Sequence, residues 1–387
     1  MNVAAVVTVF HHNAHADVIV GRLLEGYHLN GKGSLPSLKL VSLYVDQKPK
    51  NDLSRSLAEK HGFRLFDSVE KALTLGSGKL AVDGVLLVAE HGSYPKSETD
   101  QVLYPKRRLF AEIVTVFENS KRVVPVFSDK HLADNWNDAL WIYETSQKMR
   151  IPLMAGSSLP PYRRLPPVDV RRNAELEEIV AVGYGGVESY GFHALEMLQC
   201  LAERREGGET GVNSVTCLTG DAVWKAQQDG LFDSVLLNAA LEHKRQTNPK
   251  RSLRERVKNP ALFSIRYNDG LRASVLMLTG ATSDFSVAWK YKNGSGGQHK
   301  IESTLFAIEN DRPFMHFADL LLGIEKMMHT RKPAWPVERT LLTTGILNAA
   351  MISQKQSGKR IETPYLKIRY RSDWNWKHPL PQEERFR

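Results

Sequence analysis

The first 155 residues alternate apolar strand patterns with helical ones, and this alternation constrains the fold more than any other feature. Val3 to Phe10, Lys39 to Val45, Phe63 to Phe66, Arg122 to Phe127 and Pro152 to Ala155 read as extended segments. Gly84 to Ala89 is almost wholly apolar, as a strand covered on both faces should be. Between them, Ala16 to Tyr27 carries Ile19, Leu23 and Leu24 at helical spacing. Leu53 to His61 is a helix with Gly62 as its left-handed end. Asp67-Ser68 can cap a helix over Val69 to Thr74, and Leu109 to Phe117 and Asn137 to Lys148 are helical too. Strands separated by helices predict a doubly wound parallel sheet.

The second part of the chain changes pattern. A length of 387 residues is more than one hydrophobic core usually supports, so two domains are expected. We place their boundary at the Ser157-Ser158-Leu159-Pro160-Pro161 stretch, giving domains 1–157 and 158–387. Ser189 to Arg205 reads as a long helix and Val212 to Leu218 as a strand. Leu262 to Tyr267 and Leu271 to Leu278 form a hairpin across Asn268-Asp269-Gly270. Phe285 to Lys292 and Lys300 to Ala307 form another across Asn293-Gly294-Ser295-Gly296-Gly297. Helices over Phe317 to His329 and Glu338 to Gln354 complete an α+β domain with an open, mainly antiparallel sheet and helices on one side.

Composition removes several function classes. Apolar residues make up 42% and charged residues 25%, which excludes a mainly disordered chain. No apolar run reaches 18 residues and the start lacks a leader pattern, so no membrane partner and a cytoplasmic location are expected. Cys200 and Cys217 read as buried free thiols. The net charge of +9 gathers at residues 106–108, 163–164, 171–172, 244–258 and 355 onward. None is a nucleic-acid reader motif, so these clusters are assigned to solvated surface and to attraction of an anionic ligand.

Four phrases stand out: Ser56-Leu57-Ala58-Glu59-Lys60-His61-Gly62-Phe63 with Phe66-Asp67-Ser68, Asp83 to Ala89, Val124 to His131, and Gly191-Phe192-His193-Ala194-Leu195-Glu196. In order and spacing they resemble the Gfo/Idh/MocA family, the glucose-fructose oxidoreductase and inositol dehydrogenase group. The resemblance covers most of the chain. It implies an N-terminal Rossmann-like domain, a C-terminal domain for substrate and homo-oligomer contacts through its sheet, and oxidation of a sugar, polyol or related hydroxy compound with NAD(P). It also implies that Lys130 polarises the hydroxyl and that His193 is the general base. The family's acid before that histidine falls on Ser189, with Glu188 beside it. Aligning His15-Ala16 without gaps puts Val7, Val9 and His12 at the three glycines of the dinucleotide motif. A turn reading Phe10-His11-His12-Asn13-Ala14-His15 argues against a standard pyrophosphate grip. Asp46, ending the second strand, matches the acid that holds an adenosine ribose.

The strand ends carry more polar chemistry than a cofactor site needs. His11, His12 and His15 follow the first strand, Glu90-His91 the fourth, and Asp129-Lys130-His131 the fifth. In a doubly wound sheet these ends share one crevice. We therefore take Lys130, His193, Asp129 and Glu188 as catalytic candidates, and Phe10, His11, His12, Asn13, Asp46, Glu90 and His91 as cofactor-binding candidates. Three readings stay open: an NAD(P)-dependent oxidoreductase; a redox-silent relative performing hydrolysis or elimination on a carbohydrate, with a divalent metal among its options; and a ligand-binding protein without turnover.

Overall fold

A computed structural model describes residues 1–243, 251–292 and 301–376. The Asn293 to Gly297 connection, Lys300, and parts of the basic clusters at 244–258 and beyond 355 lie outside these residues.

Six parallel strands form the first sheet: β1 (Asn2–Val7), β2 (Lys39–Val45), β3 (Arg64–Phe66), β4 (Gly84–Val88), β5 (Val126–Asp129) and β6 (Leu153–Gly156). Their order is β3-β2-β1-β4-β5-β6, the doubly wound order with a switch point between β1 and β4. Six helices lie in this part of the chain: α1 (His15–Ile19), α2 (Arg22–Glu25), α3 (Ser54–His61), α4 (Val69–Thr74), α5 (Lys106–Ser120) and α6 (Trp136–Met149). The expected caps are present. Ser68 accepts a hydrogen bond from the Lys71 N–H, and Gly62 ends α3 at φ 74°.

The helix expected over Ala16 to Tyr27 is broken. A Cβ on Gly21 would meet the Asp17 carbonyl oxygen at 2.1 Å, so the chain can turn there only with glycine. Arg22, fully buried, donates to the carbonyls of Val18, Tyr27, Pro313 and Phe314, and so ties the break to a distant segment. The first strand also stops at Val7 rather than Phe10, which leaves residues 8–14 as its turn.

The second sheet has eight strands: β7 (Arg164–Leu165), β8 (Leu176–Gly183), β9 (Val212–Thr219), β10 (Ala261–Tyr267), β11 (Arg272–Met277), β12 (Phe285–Tyr291), β13 (Ile301–Phe306) and β14 (Ile361–Glu362). Strand β8 was not expected. It runs through the middle of the sheet, parallel to β11 and antiparallel to β12, so the sheet is mixed, though mostly antiparallel. One face packs against α7 (Ser189–Ala202) and α12 (Val337–Lys355). The other face was expected to be bare of helices. It is covered by α8 (Asp221–Gln228) and α9 (Ser234–Glu242), which bury Trp224, Leu236 and Leu237 against Val180, Val182 and Leu276, with the short α10 (Leu253–Arg256) beside them.

Helix α11 (His316–Thr330) comes late in the sequence yet packs on the first sheet. Phe317, Leu320, Leu321, Ile324, Met327 and Met328 share one core with Val3, Phe10 and Met154. Each such burial is worth about 2 kcal/mol, so this helix fixes the second part of the chain to the first.

Candidate active site

The chain turns sharply at the ends of β1, β4 and β5, and at each turn a residue other than glycine sits in the left-handed region: Asn13 (φ 62°), His91 (φ 69°) and Lys130 (φ 58°). Each costs about 1 kcal/mol. The turns open into a cavity of about 520 Å³ between the two sheets. Asn13, His15, Glu90, His91 and Lys130 line its first-sheet wall. Tyr184, Tyr190 and His193 line the opposite wall, with Glu309 and His316 from the approach to α11.

Lys130 and His193 therefore meet in one cavity although 63 positions separate them in the sequence. Lys130 Nζ donates to Glu90 Oε1 at 2.8 Å, and both side chains are buried. Burial alone would raise the Glu90 carboxyl, but Lys130, then His15, Lys106 and His131, hold it well below the usual carboxylate range. Its Oε2 is buried without a hydrogen-bond partner among the described residues. Asp129 ends β5 and holds His15, with Oδ2 2.6 Å from Nδ1. The Asp129 and His131 carbonyls accept from buried Lys106 Nζ, which anchors α5 under this loop.

His193 Nδ1 lies 2.6 Å from Ser157 Oγ, and that oxygen also accepts the Leu159 N–H. Burial, and then the positive charge of Lys130, push the His193 imidazole well below its ordinary value, so it is neutral at pH 7. Glu188 does not hold this ring; its carboxylate accepts the Val102 N–H at 2.9 Å. The orienting partner is the Ser157 hydroxyl rather than the expected carboxylate.

The remaining candidates divide. Asn13 and His91 reach the cavity, and burial lowers His91 to about 4. Phe10 does not: its side chain is fully buried in the core. His12 points to solvent, 3.8 Å from Asp17. His11 lines a separate cavity of about 550 Å³ with Val9, Gln47, Lys48, Asn51 and Gly92. His131 packs edge-on against Phe192 in the interior. Tyr104, Tyr184, Tyr190, Glu309 and His316 were not foreseen as wall residues. Tyr184 and Tyr190 lie in or beside the Gly183-Tyr184-Gly185-Gly186 run, and Tyr104 in the long loop after β4, and these were their only sequence signals.

Neither a protein-family model nor a curated protein sequence matches the chain. Solved structures do. An oxidoreductase from Agrobacterium radiobacter in complex with NAD+, L-tartaric acid and magnesium is 13% identical, with TM-score 0.57 over 93% of this chain and 98% of that one. GenD2 from gentamicin A biosynthesis, in complex with NAD, is 12% identical with TM-score 0.55 over 94% and 96%. Myo-inositol dehydrogenase from Lactobacillus casei, in complex with NAD(H) and myo-inositol, is 11% identical with TM-score 0.54 over 94% and 96%. The fold is the Gfo/Idh/MocA fold.

On this Gfo/Idh/MocA fold a dinucleotide would cross the ends of β1, β2 and β4, where two of the groups it would use are already engaged. A pyrophosphate needs free backbone donors at the first turn. Here the Asn13 N–H is already taken by the Asp17 carboxylate at 2.8 Å, which Arg312 neutralises at 2.6 Å. Helix α1, five residues long, carries Asp17 in its first turn. Asp46 is occupied as well, accepting from the Tyr44 and Tyr94 hydroxyls and from Arg108. Burial would raise its carboxyl, but these donors outweigh it and hold the group low. The two cavities share no lining residue. The His11, His91 and His15 rings stand in a row between them, 6.0 and 5.2 Å apart. Among the described residues, no group of three or more His, Cys, Asp or Glu could hold a metal ion.

Proposed function

We propose that the cavity is the active site of an enzyme acting on a sugar, polyol or related hydroxy compound by general acid–base chemistry. Lys130 polarises the reacting oxygen, and His193 exchanges a proton with it. The observation that carries this reading is the convergence of the two groups on one cavity, Lys130 from the end of β5 and His193 from α7. A buried ammonium paired with Glu90 offers a fixed positive charge where charge develops on oxygen. A neutral imidazole can take or give a proton without first changing charge. Tyr104, Tyr184, Asn310 and Ser158 give the walls the hydrogen-bonding groups a polyhydroxy ligand requires.

The inositol dehydrogenases that share the fold support the substrate class. Structures of the same fold also favour a second reading, oxidation of the hydroxyl with NAD(P), because several of them hold that cofactor. The partners already held by the Asn13 N–H and by Asp46 weigh against it. Thermal-shift screening with sugars, polyols and sugar acids, with and without NAD(P), separates the two. Turnover of a hit should fall about 100-fold in Lys130→Met and in His193→Asn. Turnover indifferent to both substitutions would remove the acid–base assignment.

A further inference from the structure

We propose that the cavity contains a second acid–base group, the His15–Asp129 pair, and that the site uses it to interconvert α-hydroxy carbonyl compounds through an enediol without any dinucleotide. The inference rests on the acid–base reading above and adds the reaction class.

His15 stands at the first turn of α1 and Asp129 at the end of β5, and the fold brings them together at 2.6 Å. A carboxylate only accepts, so His15 Nδ1 carries the hydrogen and Nε2 is its working atom. The His15 ring is clamped edge-on by Phe317 at 5.0 Å and lies 6.4 Å from the His193 ring. Lys130 follows Asp129 directly and lines the same wall. The cavity thus holds a carboxylate-backed base, a neutral imidazole and a buried cation. A hydride transfer needs only one base, and the row of histidine rings stands between this cavity and the one at His11, where a dinucleotide would lie.

The step balances internally. His15 Nε2 takes the proton from the carbon bearing the hydroxyl, and the C–H electron pair becomes the C=C bond. The carbonyl π pair moves onto oxygen, beside Lys130, and that oxygen takes a proton from His193. His193 then removes the proton of the neighbouring hydroxyl, whose electrons form the new carbonyl, and His15 returns its proton to the former carbonyl carbon. A hydroxy-aldehyde becomes a hydroxy-ketone. No external oxidant or reductant enters, and both imidazoles end as they began. A neutral imidazole acting as electrophile is the protonation state that burial gives His193.

The test is proton NMR in D2O with D-glucose, D-fructose, D-xylose and dihydroxyacetone as probes and no nucleotide added. Wild type should place deuterium on the carbon next to the carbonyl of at least one probe. His15→Asn should slow that exchange about 100-fold with an unchanged melting temperature. Asp129→Asn, which acts only through His15, should move the pH profile of exchange with a smaller loss of rate than His15→Asn. Exchange in none of the probes, exchange unaffected by His15→Asn, or stoichiometric NAD(P) binding by calorimetry overturns the proposal. Loss of exchange in Lys130→Met and His193→Asn, with His15→Asn still active, overturns this inference alone. Indifference to all three substitutions overturns the acid–base reading as well.

Discussion

Lys130 Nζ and Glu90 Oε1 lie 2.8 Å apart, and each side chain is only 5% exposed. The pair joins the ends of β5 and β4 inside the cavity wall. Replacing Glu90 by Gln leaves a buried ammonium without its counter-charge, and breaking a buried pair from one side costs about 3–5 kcal/mol. Urea denaturation should show that loss in Glu90→Gln. Glu90→Gln combined with Lys130→Met should recover most of it, because no isolated charge remains. A single-variant loss below about 0.5 kcal/mol would mean that water, not Glu90, balances the lysine.

The buried histidines make stability fall in acid. Burial, reinforced by Lys106, lowers His131 to about 3, and burial, reinforced by His15, lowers His91 to about 4. In the unfolded chain both titrate near about 6.5. Below that pH the unfolded state binds protons that the folded state refuses, so stability is full above about pH 7 and declines as the pH falls toward 4. Each such group contributes a slope of about 1.4 kcal/mol per pH unit. Glu90, held low in the fold, acts in the same direction at lower pH. Denaturation curves at pH 7.5 and pH 5 should differ by more than 1 kcal/mol by this slope, and His131→Asn should shrink the difference. Equal stability at the two pH values would show that His131 and His91 are protonated in the folded state.

Much of the fold was legible because period and punctuation agreed. Lys39–Val45 was read with its true ends, and Ser68 and Gly62 mark helix ends by local chemistry alone. Strand β8 was missed because Leu176-Glu177-Glu178-Ile179 opens on two acids. Glu178 is tolerated in the interior only because Arg272 and the Asp233 N–H, both remote in sequence, bind it. At the site, Lys130, Glu90, His91 and His193 were legible from strand-end position and family resemblance. The Ser157 partner, the wall at Glu309 and His316, and the capture of Asp46 by Tyr94 and Arg108 depend on loops that meet only in three dimensions.

Asp46 illustrates the difference between a matched position and a free one. Its carboxylate takes Tyr44, Tyr94 and Arg108, so it pins the long loop after β4 to the end of β2. Asp46→Ala should lower stability by about 1–2 kcal/mol, the hydrogen bonds being charge-assisted but partly solvated. Melting temperature measures this. Tyr94→Phe should show a smaller loss of the same sign. An unchanged melting temperature in Asp46→Ala would leave the carboxylate available to a ligand ribose.

Gly156 is linked to His193 through Glu196 and Ser157. It ends β6 at φ 125°, a conformation other residues avoid, and a Cβ there would lie 2.5 Å from Glu196 Oε2 and 2.9 Å from Thr340 Oγ1. That same Glu196 oxygen accepts the Ser157 N–H at 3.3 Å, and Ser157 Oγ holds His193 Nδ1. Gly156→Ala must therefore strain the backbone, at about 1–3 kcal/mol, and push Glu196 off its partner. The expected result is a lower melting temperature together with a shift of the His193 ring resonances in a histidine-selective NMR spectrum. Thr340→Ala relieves one of the two contacts and should recover part of the stability of Gly156→Ala. A variant that loses stability but leaves the His193 resonances in place would show that Ser157 keeps its hold on the ring without Glu196.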